Sequence, residues 1–329
     1  MFHGADVKKF LAIPLALLAA STASASAQTY PSRPITIVVP YPAGGPTDTL
    51  ARILADRMKT ALAQSLIIEN VSGAGGSIGV ARVARAAPDG YTLSIGHVQT
   101  HVLNALTMSV SYDVVNDFEP VALIADTPVW IISKKSLPAD ELKGFIAWLR
   151  AGNGKATAGT VGVGGPTDIA GVLFQRQTGT QFQSIPYRGG APLLQDLLAG
   201  QIDFAFGQAA TYLSHVRSGQ LKAFAVLAAK RWWAAPEVPT LDELGVPGIH
   251  ATFWHGIWVP KGTPKEIIVK LNAAILEALA DPIVKQRFRD VGQEVWPREE
   301  QNPSALAAKQ KAEIERWSPI IKAANIRAD

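Results

Sequence analysis

The sequence predicts an α/β protein built as two lobes, and three observations carry that expectation. Short β-like runs alternate with amphipathic helical stretches, the pattern of largely parallel sheets covered by helices. The 329 residues exceed what one hydrophobic core usually serves. The pentapeptide Gly-Gly-Pro-Thr-Asp occurs twice, at 44–48 and at 164–168, each time between an apolar stretch and a helical pattern.

The elements follow in order. Residues 35–39 read as the first strand, and Leu50, Ile53, Leu54, Met58, Ala61 and Leu62 form the 3.6-period stripe of the first helix. Strands are expected at 66–69 and 92–95, with a helix over 78–86 between them. Two more strands, 121–124 and 129–133, are separated by Asp126-Thr127-Pro128. The alternation then repeats: helix 140–150, strand 156–161, helix 169–178, strand 184–187, helix 192–198, strand 202–206, helix 211–217 and strand 221–228. Thr240-Leu241-Asp242-Glu243 and Thr263-Pro264-Lys265-Glu266 read as capping boxes, and Asp281-Pro282 as a further helix start. A last helix is expected over 304–324. No low-complexity linker interrupts the chain, so the lobes should be joined by short hinge segments near 126–129 and 251–253. That division gives one lobe of 28–127 plus 253–329 and a second of 128–252.

Residues 1–27 read as a secretory signal peptide. Lys8 and Lys9 precede a short apolar run that ends in Ala25-Ser26-Ala27, with cleavage expected after Ala27 and a periplasmic destination. The run is too short to span a membrane as a helix. Zero cysteines exclude disulfides, thiolate nucleophiles and Cys-ligated metal. The formal charge of +4 falls to +3 without Lys8, Lys9 and Asp6, too weak and too interspersed for nucleic acid. No cofactor motif is complete, because Gly162-x-Gly164 lacks the third glycine of the dinucleotide fingerprint. A monomer is expected.

The repeated pentapeptide has specific chemistry. With Gly45 and Gly165 as caps, Pro46 and Pro166 occupy the first helical position, where a missing N–H costs nothing. Asp48 and Asp168 then fall in the first turn, where a carboxylate suits the helix dipole. The remaining N–H groups of each helix start can hold an anion. Two such loops, one in each half, suggest two lobes presenting helix N-termini to a shared cleft. Further polar candidates lie at strand ends, where ligands bind in open α/β sheets: His97, Gln99 and Thr100, then Tyr187 and Arg188, then Gln208. His97 and His101 have i, i+4 spacing but lack the glutamate of a zinc helix, so no metal site is expected. A nucleophile elbow needs its serine directly after a strand; here Ser77 sits in Gly75-x-Ser77-x-Gly79 with loop residues intervening. Trp232-Trp233 and Trp254-His255 read as core or hinge packing.

These residues coincide with a family pattern. Arg33-Pro34-Ile35, Val39-Pro40-Tyr41-Pro42-Ala43-Gly44-Gly45-Pro46-Thr47-Asp48, Pro88-Asp89-Gly90-Tyr91-Thr92, Pro186-Tyr187-Arg188-Gly189 and Pro260-Lys261-Gly262-Thr263-Pro264 are similar to those of the solute receptors of tripartite tricarboxylate transporters, the Bug proteins. The resemblance implies a periplasmic-binding-protein fold: two α/β lobes, a hinge, and a small carboxylate enclosed between them for delivery to permease subunits. It implies a non-enzymatic role. Carried onto this chain, the binding set is Tyr41, Ala43, Gly44, Gly45, Thr47 and Asp48 in one loop and Gly162, Val163, Gly165, Thr167 and Asp168 in the other. Where the family more often has Gly-Ser and then histidine, this chain has Gly165-Pro166-Thr167-Asp168. The two aspartates either favour a ligand with an amino group or serve only as caps. Two other readings stand beside the receptor: an exported hydrolase using Ser77, and a scaffold or sensor without a permease.

Overall fold

The structure, a computed structural model, describes residues 30–328; the expected signal peptide, 1–27, lies outside the described residues. Two sheets organise the chain. The first contains β1 (Ile35–Val39), β2 (Leu66–Asn70), β3 (Thr92–His97), β4 (Phe118–Asp126), β10 (His255–Pro260) and β11 (Glu294–Val295), in the order β11-β4-β10-β3-β1-β2. The second contains β5 (Val129–Lys134), β6 (Thr157–Val161), β7 (Gln183–Tyr187), β8 (Phe204–Gln208) and β9 (Leu221–Val226), in the order β7-β6-β8-β5-β9. The α-helices on the first sheet's side of the chain are α1 (Pro46–Leu62), α2 (Ser77–Ala84) and α3 (Asn104–Thr107). Then come α4 (Leu142–Ala151), α5 (Pro166–Thr178), α6 (Gly190–Leu198) and α7 (Ala209–Arg217) among the second sheet's strands. The chain ends with α8 (Lys265–Ala280), α9 (Pro282–Asp290) and α10 (Pro303–Ala324).

Both sheets are mixed, where the alternating pattern predicts largely parallel ones. β1 runs parallel to β2 and β3, and β6 parallel to β7 and β8. The antiparallel pairs are β10 with β3 and β4, β11 with β4, and β5 with β8 and β9. The reason is the chain path. β4 leads straight into β5, and the chain returns from the second sheet into β10, so strands beside the crossing points run against their neighbours.

Helices cover both faces of each sheet. α1 buries Leu50, Ile53, Leu54, Met58 and Leu62 and stops at Ala63, which is left-handed at φ 51°. It packs with α8 and α9 over Ile37 and Val39. Val38 points the other way, into a cluster with Val80, Trp254, Trp258 and Trp317. That cluster also takes in Ile169 of α5, so apolar packing joins the two sheets' territories. In β5, Val129 and Ile131 face one core while Trp130 and Ile132 face another, the two-residue period of a strand buried on both sides.

Capping signals fare unevenly. Asp281 accepts from the Ile283 and Val284 N–H groups and starts α9. Asn302 caps α10. At 240–243 the reciprocal box bonds form, Glu243 Oε2 accepting from Thr240 N at 2.8 Å and Thr240 Oγ1 from Glu243 N at 3.2 Å. No helix follows, because Gly245 turns left-handed at φ 80° and Pro247 comes next. Thr263 does not cap α8 either; its hydroxyl donates to the Pro260 carbonyl. Among the described residues no helix is long and apolar enough to cross a membrane.

Candidate functional site

The two pentapeptide loops share one geometry. Gly44 and Gly164 are left-handed (φ 81° and 67°), and Gly45 and Gly165 are extended caps ahead of Pro46 and Pro166. In the first loop Asp48 Oδ2 accepts from Gly44 N at 2.8 Å; in the second Asp168 Oδ2 accepts from Gly164 N at 2.9 Å. Asp48 is held further by Arg52 Nε and Asn70 Nδ2, both at 2.9 Å, and Asp168 by Ser184 Oγ at 3.1 Å. Burial pushes the Asp48 carboxyl up, but the hydrogen bonds from Arg52, Gly44 and Asn70 outweigh it and hold it below the ordinary carboxylate range. Each aspartate therefore spends its oxygens on the shape of its own loop.

What the loops leave free is backbone. Among the described residues no carbonyl accepts from the N–H groups of Thr47, Asp48, Thr167 or Asp168. These are the first-turn donors that a helix cannot satisfy by itself. The Thr167 hydroxyl is not free, because it accepts from Val161 N at 2.8 Å and bonds the Val161 carbonyl at 3.3 Å.

Beside the first loop lies an aromatic wall. Thr47 Oγ1 meets His255 Nε2 at 3.1 Å. His255, on β10, pairs across the sheet with His97 at the end of β3. The His97 ring stacks on Tyr41 at 4.8 Å and meets Phe253 edge-on at 5.2 Å. Burial drives His97 well below its usual range, aided by the neighbouring His255 and His101, and burial takes His255 down to about 4. Both imidazoles are thus neutral near pH 7. Tyr41 Oη and His255 Nδ1 are buried without a hydrogen-bond partner among the described residues. Thr100 is fully buried, its Oγ1 accepting from His97 N and bonding His101 Nδ1 at 3.0 Å. His101 stacks on Trp258 at 3.7 Å and so belongs to packing.

Gln99 connects the two halves. It follows β3 of the first sheet, yet a Cβ added at Gly162 or Gly165 of the second loop would lie 3.0 or 3.4 Å from its terminal amide. That side-chain amide makes no hydrogen bond among the described residues. A Cβ at Gly164 would meet Thr107 at 2.8 Å. The second loop therefore packs against Gln99 and Thr107, which follow β3 of the first sheet, and a Cβ at Gly164 has no room there.

The remaining candidates are spread around that centre. Ala43 and Gly44 are exposed, and Val163 is exposed at the second loop's tip. Tyr187 ends β7, accepts Gly162 N on its carbonyl, and donates its hydroxyl to Asp196 at 2.7 Å. Arg188 is exposed. Gln208 is the last residue of β8 rather than a residue beyond it, and its buried Nε2 has no partner among the described residues. Ser77 is half-buried at the start of α2, and no histidine or carboxylate hydrogen-bonds its hydroxyl among the described residues. Phe253 and His255 escape a sequence reading, because only the β10–β3 pairing brings them to His97. A Trp-His pair in an apolar strand carries no signal of that neighbour.

The comparisons with known proteins bear on this cleft. The model of the tripartite tricarboxylate transporter family receptor matches residues 50–326. The chain belongs to that family. Protein BugT of Bordetella pertussis is 36% identical over 91% of this chain and 92% of its own. Among solved structures, periplasmic binding protein BugD is 37% identical with a TM-score of 0.82, covering 91% of this chain and 99% of its own. MatC of Rhodopseudomonas palustris, solved with bound malate, is 37% identical with a TM-score of 0.82 over 89% of this chain and 100% of its own. A second R. palustris protein, solved with adipate, is 33% identical with a TM-score of 0.84 over 91% and 99%. This family is one of receptors and not of enzymes, and the two-lobed periplasmic-binding-protein fold is shared with its solved members.

Proposed function

We propose that this chain is a periplasmic receptor that closes over a small carboxylate and delivers it to tripartite transporter permease subunits. One observation carries the reading: two helix starts of one geometry, one beside each sheet, have unpaired first-turn N–H groups, Thr47 and Asp48 in the first and Thr167 and Asp168 in the second, and Gln99 reaches from the first sheet to the second loop. Such donors stabilise a carboxylate without a cation. The surrounding imidazoles, hydroxyls and amides are neutral, which favours recognition by hydrogen bonds over ion pairing. The malate and adipate seen in two relatives support the same ligand class.

In this reading the lobes are 28–127 with 253–329, and 128–252. They turn about the paired crossings at 126–129 and 251–253. Ligand bridging both loops stabilises the closed arrangement, since a ligand shifts a two-state equilibrium only by its differential affinity. Tyr41, His97 and Phe253 wall the ligand body, and Gln99 and Gln208 offer unspent amide groups. The receptor is exported, cleaved after Ala27, and acts as a monomer. Because Asp48 and Asp168 are engaged in their loops, they serve as caps and not as ammonium partners. The test is thermal shift and calorimetry of the mature protein with malate, adipate, succinate, benzoate and aspartate. Saturable binding of at least one carboxylate, weakened when Gln99 is replaced by alanine, is expected. Absence of binding across the set, with native mass spectrometry showing no retained ligand, would overturn the proposal.

A further inference from the structure

Away from the cleft, a groove of about 510 Å³ runs along the junction of the two lobes. One wall is Trp233, which follows β9 of the second sheet. The others come from the first lobe: Leu279 at the end of α8, Lys285 and Arg289 on α9, then Glu294, Trp296 and Arg298. The neighbouring Trp232 is buried, packs edge-on against Trp130 at 5.3 Å, and anchors the segment that presents Trp233. The lobes touch at this point, since a Cβ at Gly292 would lie 2.8 Å from Ala210 and 3.2 Å from Trp232.

Two properties set this groove apart. Lys285, Arg289 and Arg298 are all exposed, and none forms an ion pair among the described residues. Arg33, Arg52, Arg57 and Arg231 each hold a carboxylate, whereas Arg85 and Arg188 form no ion pair among the described residues but stand singly, so the distinction here is three such cations around one groove. The cations also sit among apolar surface. Trp233 is 39% exposed, with the Arg289 guanidinium 5.8 Å from its ring, and Leu279, Val295 and Pro297 complete the lining. Exposed tryptophan and arginine together are the composition of binding hot spots, and three cations against the single lining carboxylate, Glu294, leave the wall net positive and suited to an opposite field.

We propose that this groove is a docking site for an acidic, apolar-bearing segment of a protein partner, and that it is assembled by lobe closure. The inference rests on the receptor reading for its purpose, because a partner that must tell loaded from empty receptor needs a surface that both lobes build. Three cations on separate stretches of wall suit an extended acidic chain, whose apolar side chain inserts beside Trp233. Opening the lobes carries Trp233 away from Arg289 and Arg298 and dismantles the site.

The probe is a fluorescein-labelled peptide of alternating glutamate and leucine, compared with an all-glutamate and a lysine–leucine peptide, measured by anisotropy on the mature protein. The Glu–Leu peptide is expected to bind in a salt-sensitive way, tenfold or more tighter than either control. Trp233→Ala and the pair Lys285→Glu with Arg289→Glu should each weaken it at least fivefold. Circular dichroism melts check that these variants fold, and Lys285→Gln with Arg289→Gln is the milder fallback. A saturating carboxylate ligand should tighten the peptide severalfold. Binding unchanged by these substitutions, no preference over the all-glutamate peptide, or indifference to the cleft ligand each overturns the proposal. The receptor reading is scored separately: carboxylate binding without peptide binding sinks only the groove, and peptide binding without any carboxylate binding sinks closure as its cause.

Discussion

Replacing each loop aspartate by alanine separates a capping role from a ligand-binding one. Asp48 is 1% exposed and accepts from Gly44 N, Asn70 Nδ2 and Arg52 Nε. The bond to half-exposed Arg52 adds little, because solvent screens it. The other two are charge-assisted, and Asp48→Ala leaves the Gly44 N–H and the Asn70 amide without their acceptor, at about 1–2 kcal/mol each. A loss of about 3 kcal/mol follows. For a chain of this size that is a fall of about 5 °C in Tm. Asp168 makes two such bonds and is only half-buried, so Asp168→Ala should lose about 1–2 kcal/mol. Urea unfolding of both variants measures these losses. Calorimetry against malate, adipate and aspartate then reads preference, and both variants should keep the wild-type rank order while binding more weakly. An Asp168→Ala protein of unchanged stability but altered ligand rank would refute the capping account.

Acid should destabilise the fold well before most carboxylates titrate. Folded-state pKa values depressed to about 4 for His255 and about 3 for His101, with His97 also lowered, mean that the unfolded chain binds more protons below pH 6.5. Asp126, raised to about 6 by burial, acts in the opposite sense and offsets part of one histidine. Between pH 7 and pH 5, His255 and His101 less the Asp126 offset should cost about 2 kcal/mol, and His97 adds to the loss in the same sense. Equal urea midpoints at the two pH values would contradict it. Gln99→Ala should leave Tm within a degree or two and weaken ligand binding about five- to tenfold by calorimetry, the worth of one buried hydrogen bond. Gly164→Ala combines a left-handed φ of 67° with a Cβ 2.8 Å from Thr107, so it should slow or block closure, seen as reduced ligand affinity and a larger radius by small-angle scattering.

Local chemistry was the legible part of the sequence. Both Gly-Gly-Pro-Thr-Asp helix starts, the Asp281 cap and the first helix's apolar stripe depend on neighbours within a few residues, and each forms as its local pattern dictates. Pairing between distant strands was not legible. Nothing near 255–260 announces that β10 inserts between β3 and β4, so the mixed sheets and the approach of His255 to His97 and Thr47 emerge only from the fold. The reading of Thr240–Glu243 fails for a different reason. Its reciprocal bonds are local and form, but helix propagation needs the following residues too, and Gly245 and Pro247 deny it.

The chain passes between the sheets twice, and the two passages are bonded to each other: Phe253 N to the Thr127 carbonyl at 2.8 Å, Val129 N to the Ala251 carbonyl at 2.9 Å, with a bridge between Pro128 and Thr252. A two-stranded ribbon flexes readily across its face and resists bending in its plane, much as a steel tape does. On the receptor reading proposed above, relative movement of the two halves would be confined to nearly a single arc. On that reading the Thr47 and Thr167 helix starts would approach along one repeatable path, leaving affinity to what lies between them and losing little to searching for alignment.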